Sequence, residues 1–115
     1  MDIDHALVAI SALSQETRLR LYKILVEYGR TGAPAGVIGK RVGASHNNLS
    51  FHLSHLSHAG LVSSRKVGRS IVYCAETRAI EQLIEFLYES CCIREKADGN
   101  CCPPTTRRKK RRRSK

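Results

Sequence analysis

The stretch from Ser45 to Ala75 constrains this chain more than any other. Ser45 is a good N-cap, and Leu49, Leu53 and Leu56 follow at the spacing of one helical face. Ala59 ends that pattern, and Gly60 is the residue type best suited to a left-handed cap. Leu61 to Val67 and Ser70 to Ala75 then read as two strands joined at Gly68-Arg69, a two-residue hairpin signal. A helix that feeds directly into a tight hairpin leaves few architectures open to 115 residues, which suffice for one modest core but not two.

The flanking segments narrow the choice. Asp4 to Leu13 carries Ala6, Leu7, Ile10 and Leu13 at a helix-like period, and Ser14 reads as the N-cap of a helix over Gln15 to Tyr28. GRTG at 29–32 breaks that helix, and Pro34 suits the first turn of a short third helix reaching about Val42. Gly43-Ala44 turns the chain into Ser45. After the hairpin, Thr77 to about Ile93 places Ile80, Leu83, Ile84 and Leu87 on one helical stripe. The expected fold is α+β and mainly α, in the order ααααββα: a winged helix-turn-helix. Residues 1–93 form the expected folded domain and 94–104 a cysteine-containing segment. Residues 105–115 read as a disordered basic tail, because RRKKRRRSK after Pro103-Pro104 cannot bury a core.

Charge has to be located before it is interpreted. The net charge is +10, but Thr105 to Lys115 holds eight Lys/Arg and no acid, which leaves the rest with 12 basic and 10 acidic groups. The excess belongs to an appendage, either a solubility tail or a sequence-independent anchor on phosphates. No apolar run approaches the roughly 18 residues of a membrane span, and MDIDHALVAI has no basic n-region, so a cytoplasmic location without membrane attachment is expected. Five cysteines, an odd number, argue against a disulfide framework and favour thiols. Neither a Ser/His/Asp or Cys/His grouping nor a phosphate loop stands out, so no enzymatic activity is expected.

On a wheel, the face of the fourth helix opposite its leucines carries His46, Asn47, Asn48, Ser50, Phe51, Ser54 and His55. Asparagine pairs with adenine in the major groove, serine is a short adaptable contact, and an exposed phenylalanine can meet a thymine methyl. Phe51 could instead pack against the hairpin or a neighbouring helix. Arg65, Lys66 and Arg69 on the hairpin suit phosphate or minor-groove contact, or are plain surface charge. His52, His55 and His58 recur every three residues but sweep around the helix rather than converging on an ion.

The segment LSFHLSHLSHAGLVSSRKVGRSIVY resembles the recognition helix and wing of the ArsR/SmtB family of metalloregulatory repressors, and LSQETRLRLYKILVE is similar to its second helix. The resemblance spans about residues 5 to 93. It implies a homodimer through the first and last helices, with recognition helices entering successive major grooves of operator double-stranded DNA. Family members place their sensing residues differently. The third helix here, APAGVIGKRVGAS, has no cysteine, so one arsenic-sensing arrangement is absent. The last helix carries Glu81, Gln82, Glu85 and Glu89 but no histidine, which speaks against a zinc arrangement. What remains resembles sensors with a cysteine pair at the end of the last helix and another cysteine downstream.

Those cysteines are Cys91–Cys92 and Cys101–Cys102, while Cys74 falls in a wing strand and reads as packing. Adjacent cysteines on a helix point about 100° apart, so both reach one ion only where the helix end frays or the ion sits at its tip. Soft thiolates select thiophilic ions. Trivalent arsenic or antimony takes three, which leaves either Cys101 or Cys102 as the third ligand. No permanent cofactor is expected. Zinc or cadmium in a four-thiolate site, a thiol redox switch, and cysteines without a ligand role are the alternatives. The leading expectation is a repressor that releases its operator on binding arsenite or antimonite. A thiol-rich carrier protein is the alternative of another class.

Overall fold

The computed structural model describes residues 1–95. Five helices and three strands follow in the order α1 (Ile3–Leu13), α2 (Glu16–Tyr28), β1 (Ala33–Pro34), α3 (Ala35–Val42), α4 (His46–His58), β2 (Val62–Val67), β3 (Ser70–Ala75) and α5 (Thr77–Tyr88). A single 3-10 turn, Gly29–Thr31, links α2 to β1. This is the expected winged helix-turn-helix, with one addition. β1 pairs antiparallel with β3, so the sheet has three strands in the order β1-β3-β2. Two residues carry too short an alternation to announce a strand; β1 exists because β3 offers it an edge.

The caps explain the helix limits. Asp2 begins α1 by accepting from the His5 N–H, and Ser45 begins α4 by accepting from the Asn48 N–H. Ser14 does not cap α2 as expected. Its hydroxyl donates back to the Ser11 carbonyl at 2.9 Å, closing α1, and Gln15 supplies the α2 cap by accepting from the Arg18 N–H at 2.9 Å. Either side chain can cap, and the break between the helices decides which one does.

α5 ends at Tyr88, just after the last stripe residue Leu87 and five residues before the expected limit near Ile93, and the chain continues in turns through Arg94. Ser90, Cys91 and Cys92 are weak helix formers, and Cys92 adopts a left-handed backbone (φ +60°) that no helix continues through.

The core is one cluster: Leu21 and Leu25 of α2, Ile38 of α3, Leu49, Leu53 and Leu56 of α4, and Leu61 and Val62 at the root of the hairpin. α1 buries Ala6, Ala9 and Ala12, small side chains that let it lie close on its neighbours, and packs Leu13 partly against the cluster. Its larger residues Ile3, Leu7, Val8 and Ile10 are left exposed. The α5 stripe also divides: Leu83 is buried, Ile80 is partly buried, and Ile84 and Leu87 face out. Tyr22 ties α2 to the start of α5 by donating to the Glu76 carbonyl at 3.5 Å. Burial, and then the charges of Glu76 and Glu81, push its phenol up to about 12, so it stays a donor. Among the described residues no helix is long and apolar enough to cross a membrane.

Candidate nucleic-acid interface

Because Leu49, Leu53 and Leu56 are held in the core, the opposite arc of α4 is fixed outward. His46, Asn47, Asn48, Ser50, Phe51 and Ser54 are exposed and His55 is half-buried. This arc holds no carboxylate. Phe51 is 63% exposed, so neither the wing nor a neighbouring helix covers it, and its ring meets the edges of His52 and His55 at 5.5 and 6.1 Å. An uncovered aromatic flanked by amides and hydroxyls is a surface able to pair with base edges and touch thymine methyls.

The three closely spaced histidines turn different ways. His52 points inward, with Nδ1 3.5 Å from an Arg18 guanidinium nitrogen. Burial, then the Arg18 charge and His55, hold its pKa below the usual histidine value. His58 sits on the surface, its Nδ1 2.8 Å from the Ser54 carbonyl.

The hairpin turns at Gly68-Arg69 between the paired Val67 and Ser70. Gly68 has φ +62° while Arg69 does not enter the left-handed region, the combination a two-residue hairpin with glycine first requires. Lys66 and Arg69 are exposed and make no ion pair among the described residues. Arg65 is also exposed but is engaged: its guanidinium donates to the Thr31 carbonyl at 3.0 Å and the Arg30 carbonyl at 3.4 Å.

One cation escaped the sequence reading. Lys40 stands exposed in the last turn of α3, just before the turn into α4, where the first helix of a helix-turn-helix crosses the DNA backbone. Its position two residues before the Val42-Gly43 break was the available signal. Its neighbour Arg41 is occupied, 2.7 Å from the Glu27 carboxylate and over the Tyr28 ring. That bond holds Glu27 below the usual carboxylate range.

Beyond α5, Cys91 is half-buried and Cys92 exposed, and their sulfurs lie 3.3 Å apart. The Cys91 N–H donates to the Tyr88 carbonyl at 2.8 Å and the Ile93 N–H to the Ser90 carbonyl at 3.2 Å, so the pair sits in a defined turn. Cys101, Cys102 and the basic tail lie outside the described residues. Cys74 is buried in β3.

Comparison with known proteins agrees with this geometry. A family model described as a helix-turn-helix domain matches residues 13–65. No curated protein matches the chain. Among solved structures, an ArsR-like transcriptional regulator from a Rhodococcus species is 31% identical, with a TM-score of 0.67 over 75% of this chain and 78% of that one. HlyU from Vibrio cholerae is 28% identical, with a TM-score of 0.62 over 80% and 99%. A possible transcriptional regulator for arsenical resistance is 30% identical, with a TM-score of 0.57 over 71% and 81%. With this likeness the chain belongs to the ArsR family of helix-turn-helix, DNA-binding transcriptional regulators.

Proposed function

We propose that the protein is a homodimeric repressor that leaves its operator when arsenite or antimonite is bound by Cys91, Cys92 and a third thiolate from Cys101 or Cys102. The 3.3 Å separation of the Cys91 and Cys92 sulfurs carries this reading. The left-handed backbone at Cys92 removes the divergence that a continued helix would impose. Two sulfurs at that separation can both lie at the roughly 2.3 Å metal–sulfur distance typical of thiolate sites. Among the described residues no group of three or more His, Cys, Asp or Glu is placed to hold an ion, and this reading takes the third thiolate from Cys101 or Cys102. The arsenical-resistance regulator among the similar structures is consistent with such a ligand.

The recognition surface in this reading is His46, Asn47, Asn48, Ser50, Phe51, Ser54 and His55, with Lys66 and Arg69 on the wing and Lys40 on α3. The dimer uses α1 and α5, which pack together and leave Leu7, Ile10, Ile84 and Leu87 uncovered. Apolar side chains of that size, left in water on adjacent helices, mark an interaction surface. The sensing turn follows directly on α5, so ligand strain there reaches the dimer geometry. Tenfold release needs only about 1.4 kcal/mol of differential binding.

The same sulfur proximity supports a second reading, a thiol redox switch. One experiment separates the two: binding of the DNA upstream of the protein's own coding sequence, measured with excess reductant, with and without arsenite. Release by arsenite under reducing conditions is expected. Release by oxidant alone, with no response to arsenite, establishes the redox reading instead. Absence of DNA binding in every condition overturns both.

A further inference from the structure

Arg65 is among the expected DNA contacts, but from the middle of β2 its guanidinium reaches back to the body of the domain. Nη2 donates to the Thr31 carbonyl at 3.0 Å, while Nη1 faces the Arg30 carbonyl at 3.4 Å and the Cys74 sulfur at 3.3 Å. The Cys74 thiol donates to the same Arg30 carbonyl at 3.3 Å. The strand register accounts for the convergence. Arg65 pairs with Val72 and Ser63 with Cys74, so Arg65 and Cys74 are diagonal neighbours on one face. β1 pairs with the other edge of β3 through Ala33 and Tyr73, which carries the preceding turn, Gly29–Thr31, up against them.

A second observation is independent of these bonds. Gly32, with φ +70°, approaches β3 so closely that an added Cβ would stand 2.4 Å from the Tyr73 carbonyl oxygen and 2.7 Å from the Cys74 sulfur. Turn and wing strand are in direct contact there, and only glycine permits it. Lys66 and Arg69, by contrast, make no such attachment.

We infer that Arg65 is a positioning residue for operator binding. It clamps the wing to the turn between α2 and β1 and so sets where Lys66 and Arg69 meet the DNA backbone. From Arg65 to the hairpin turn at Gly68 is three residues, roughly 10 Å of extended chain. A tilt of about 10° at Arg65 therefore moves Arg69 by roughly 2 Å, enough to lose a phosphate hydrogen bond. To reach a phosphate itself, Arg65 would have to give up two carbonyls and a thiol. The inference rests on the wing being a DNA contact.

The test is a double-substitution cycle on the full chain, with anisotropy of a labelled duplex carrying the upstream DNA as the readout. Arg69→Ala should weaken binding about tenfold in the natural protein, as loss of one charged contact does. In the Arg65→Met background the same change should add less than twofold, because the wing is already misplaced. Arg65→Lys should recover part of the loss by reaching one carbonyl. Without DNA, hydrogen exchange of the β2–β3 amides should accelerate in Arg65→Met and not in Arg69→Ala. Gly32→Ala, which removes no DNA-facing group, should reproduce Arg65→Met. If it does not fold, the cycle and the exchange data decide alone. Losses that multiply in the double variant, or unchanged exchange in Arg65→Met, overturn the inference. A silent Arg69→Ala overturns the wing reading itself, and the inference with it.

Discussion

An Arg18 guanidinium nitrogen lies 3.5 Å from Nδ1 of His52, joining α2 to the recognition helix. Arg18 is the only buried charged residue among those described, and its Nε donates to the Ala12 carbonyl at 2.6 Å. It thus braces three helices: the end of α1, its own α2, and α4. A guanidinium only donates, so His52 has to accept at Nδ1 and carries its ring proton on Nε2. Protonated His52 would set two cations side by side.

The first prediction is a pH dependence of stability. Burial and Arg18 lower the His52 pKa in the fold below its ordinary value of 6.5. Below that value the unfolded chain takes up the proton more readily than the folded one. The contribution of neutral His52 is therefore complete above about pH 7 and is lost as the pH falls through the ordinary value toward the folded one. The other groups acting on the ring are Arg18 and His55. Asp4 and His5 of α1 lie near the helix end opposite Ala12, Arg41 of α3 is held by Glu27, and Arg65 of β2 by the Arg30 and Thr31 carbonyls. Urea midpoints between about pH 5 and 8 should slope less in His52→Gln than in the natural protein. Equal slopes would place the acid sensitivity elsewhere.

Asn47→Ala should cost about 1–3 kcal/mol of operator affinity and relax preference at one base position. Selection of bound sequences from a randomised pool reads both effects. Unchanged affinity and unchanged preference would mean that the exposed arc of α4 does not read bases.

The apolar faces of α1 and α5 predict assembly. Leu87 is 64% exposed, so Leu87→Glu should leave the melting temperature of the protomer within a few degrees of the original. It should shift sedimentation from dimer to monomer and weaken operator binding more than tenfold. A natural protein that sediments as a monomer at micromolar concentration would refute the interface.

For the thiols, Cys91→Ser or Cys92→Ser should abolish release by arsenite with operator affinity intact, because no other residue of that turn offers a thiolate. Cys101→Ser or Cys102→Ser alone should only weaken the response, and the double change should abolish it. Cys74→Ser should leave induction unaltered. Operator-bound fraction against arsenite concentration is the measurement. Full induction of Cys91→Ser would remove that residue from the site.

Local periodicity and turn chemistry determined what the sequence determined. Leu49, Leu53 and Leu56 fixed which arc of α4 faces inward, Gly68-Arg69 fixed the wing, and the helix order followed from caps and breaks. Those signals act over a few residues, so they can be read without the fold. The tertiary structure decided whatever depends on residues distant in the chain. β1 is a strand only because β3 lies beside it. Arg18 is indistinguishable from a surface arginine until α1 and α4 close over it, 6 and 34 residues away. Arg65 reads as an unattached wing cation until the turn before β1, 34 residues earlier, places the Thr31 carbonyl against its guanidinium. The reach of α5 is a related case: the sequence carries the helix to about Ile93, but it stops at Tyr88, and the turns that follow bring two sulfurs together. Hydrophobic spacing records which side of a segment is buried. Where a charged or thiol group finds its partner is set by closure of the chain, and no local pattern contains that information.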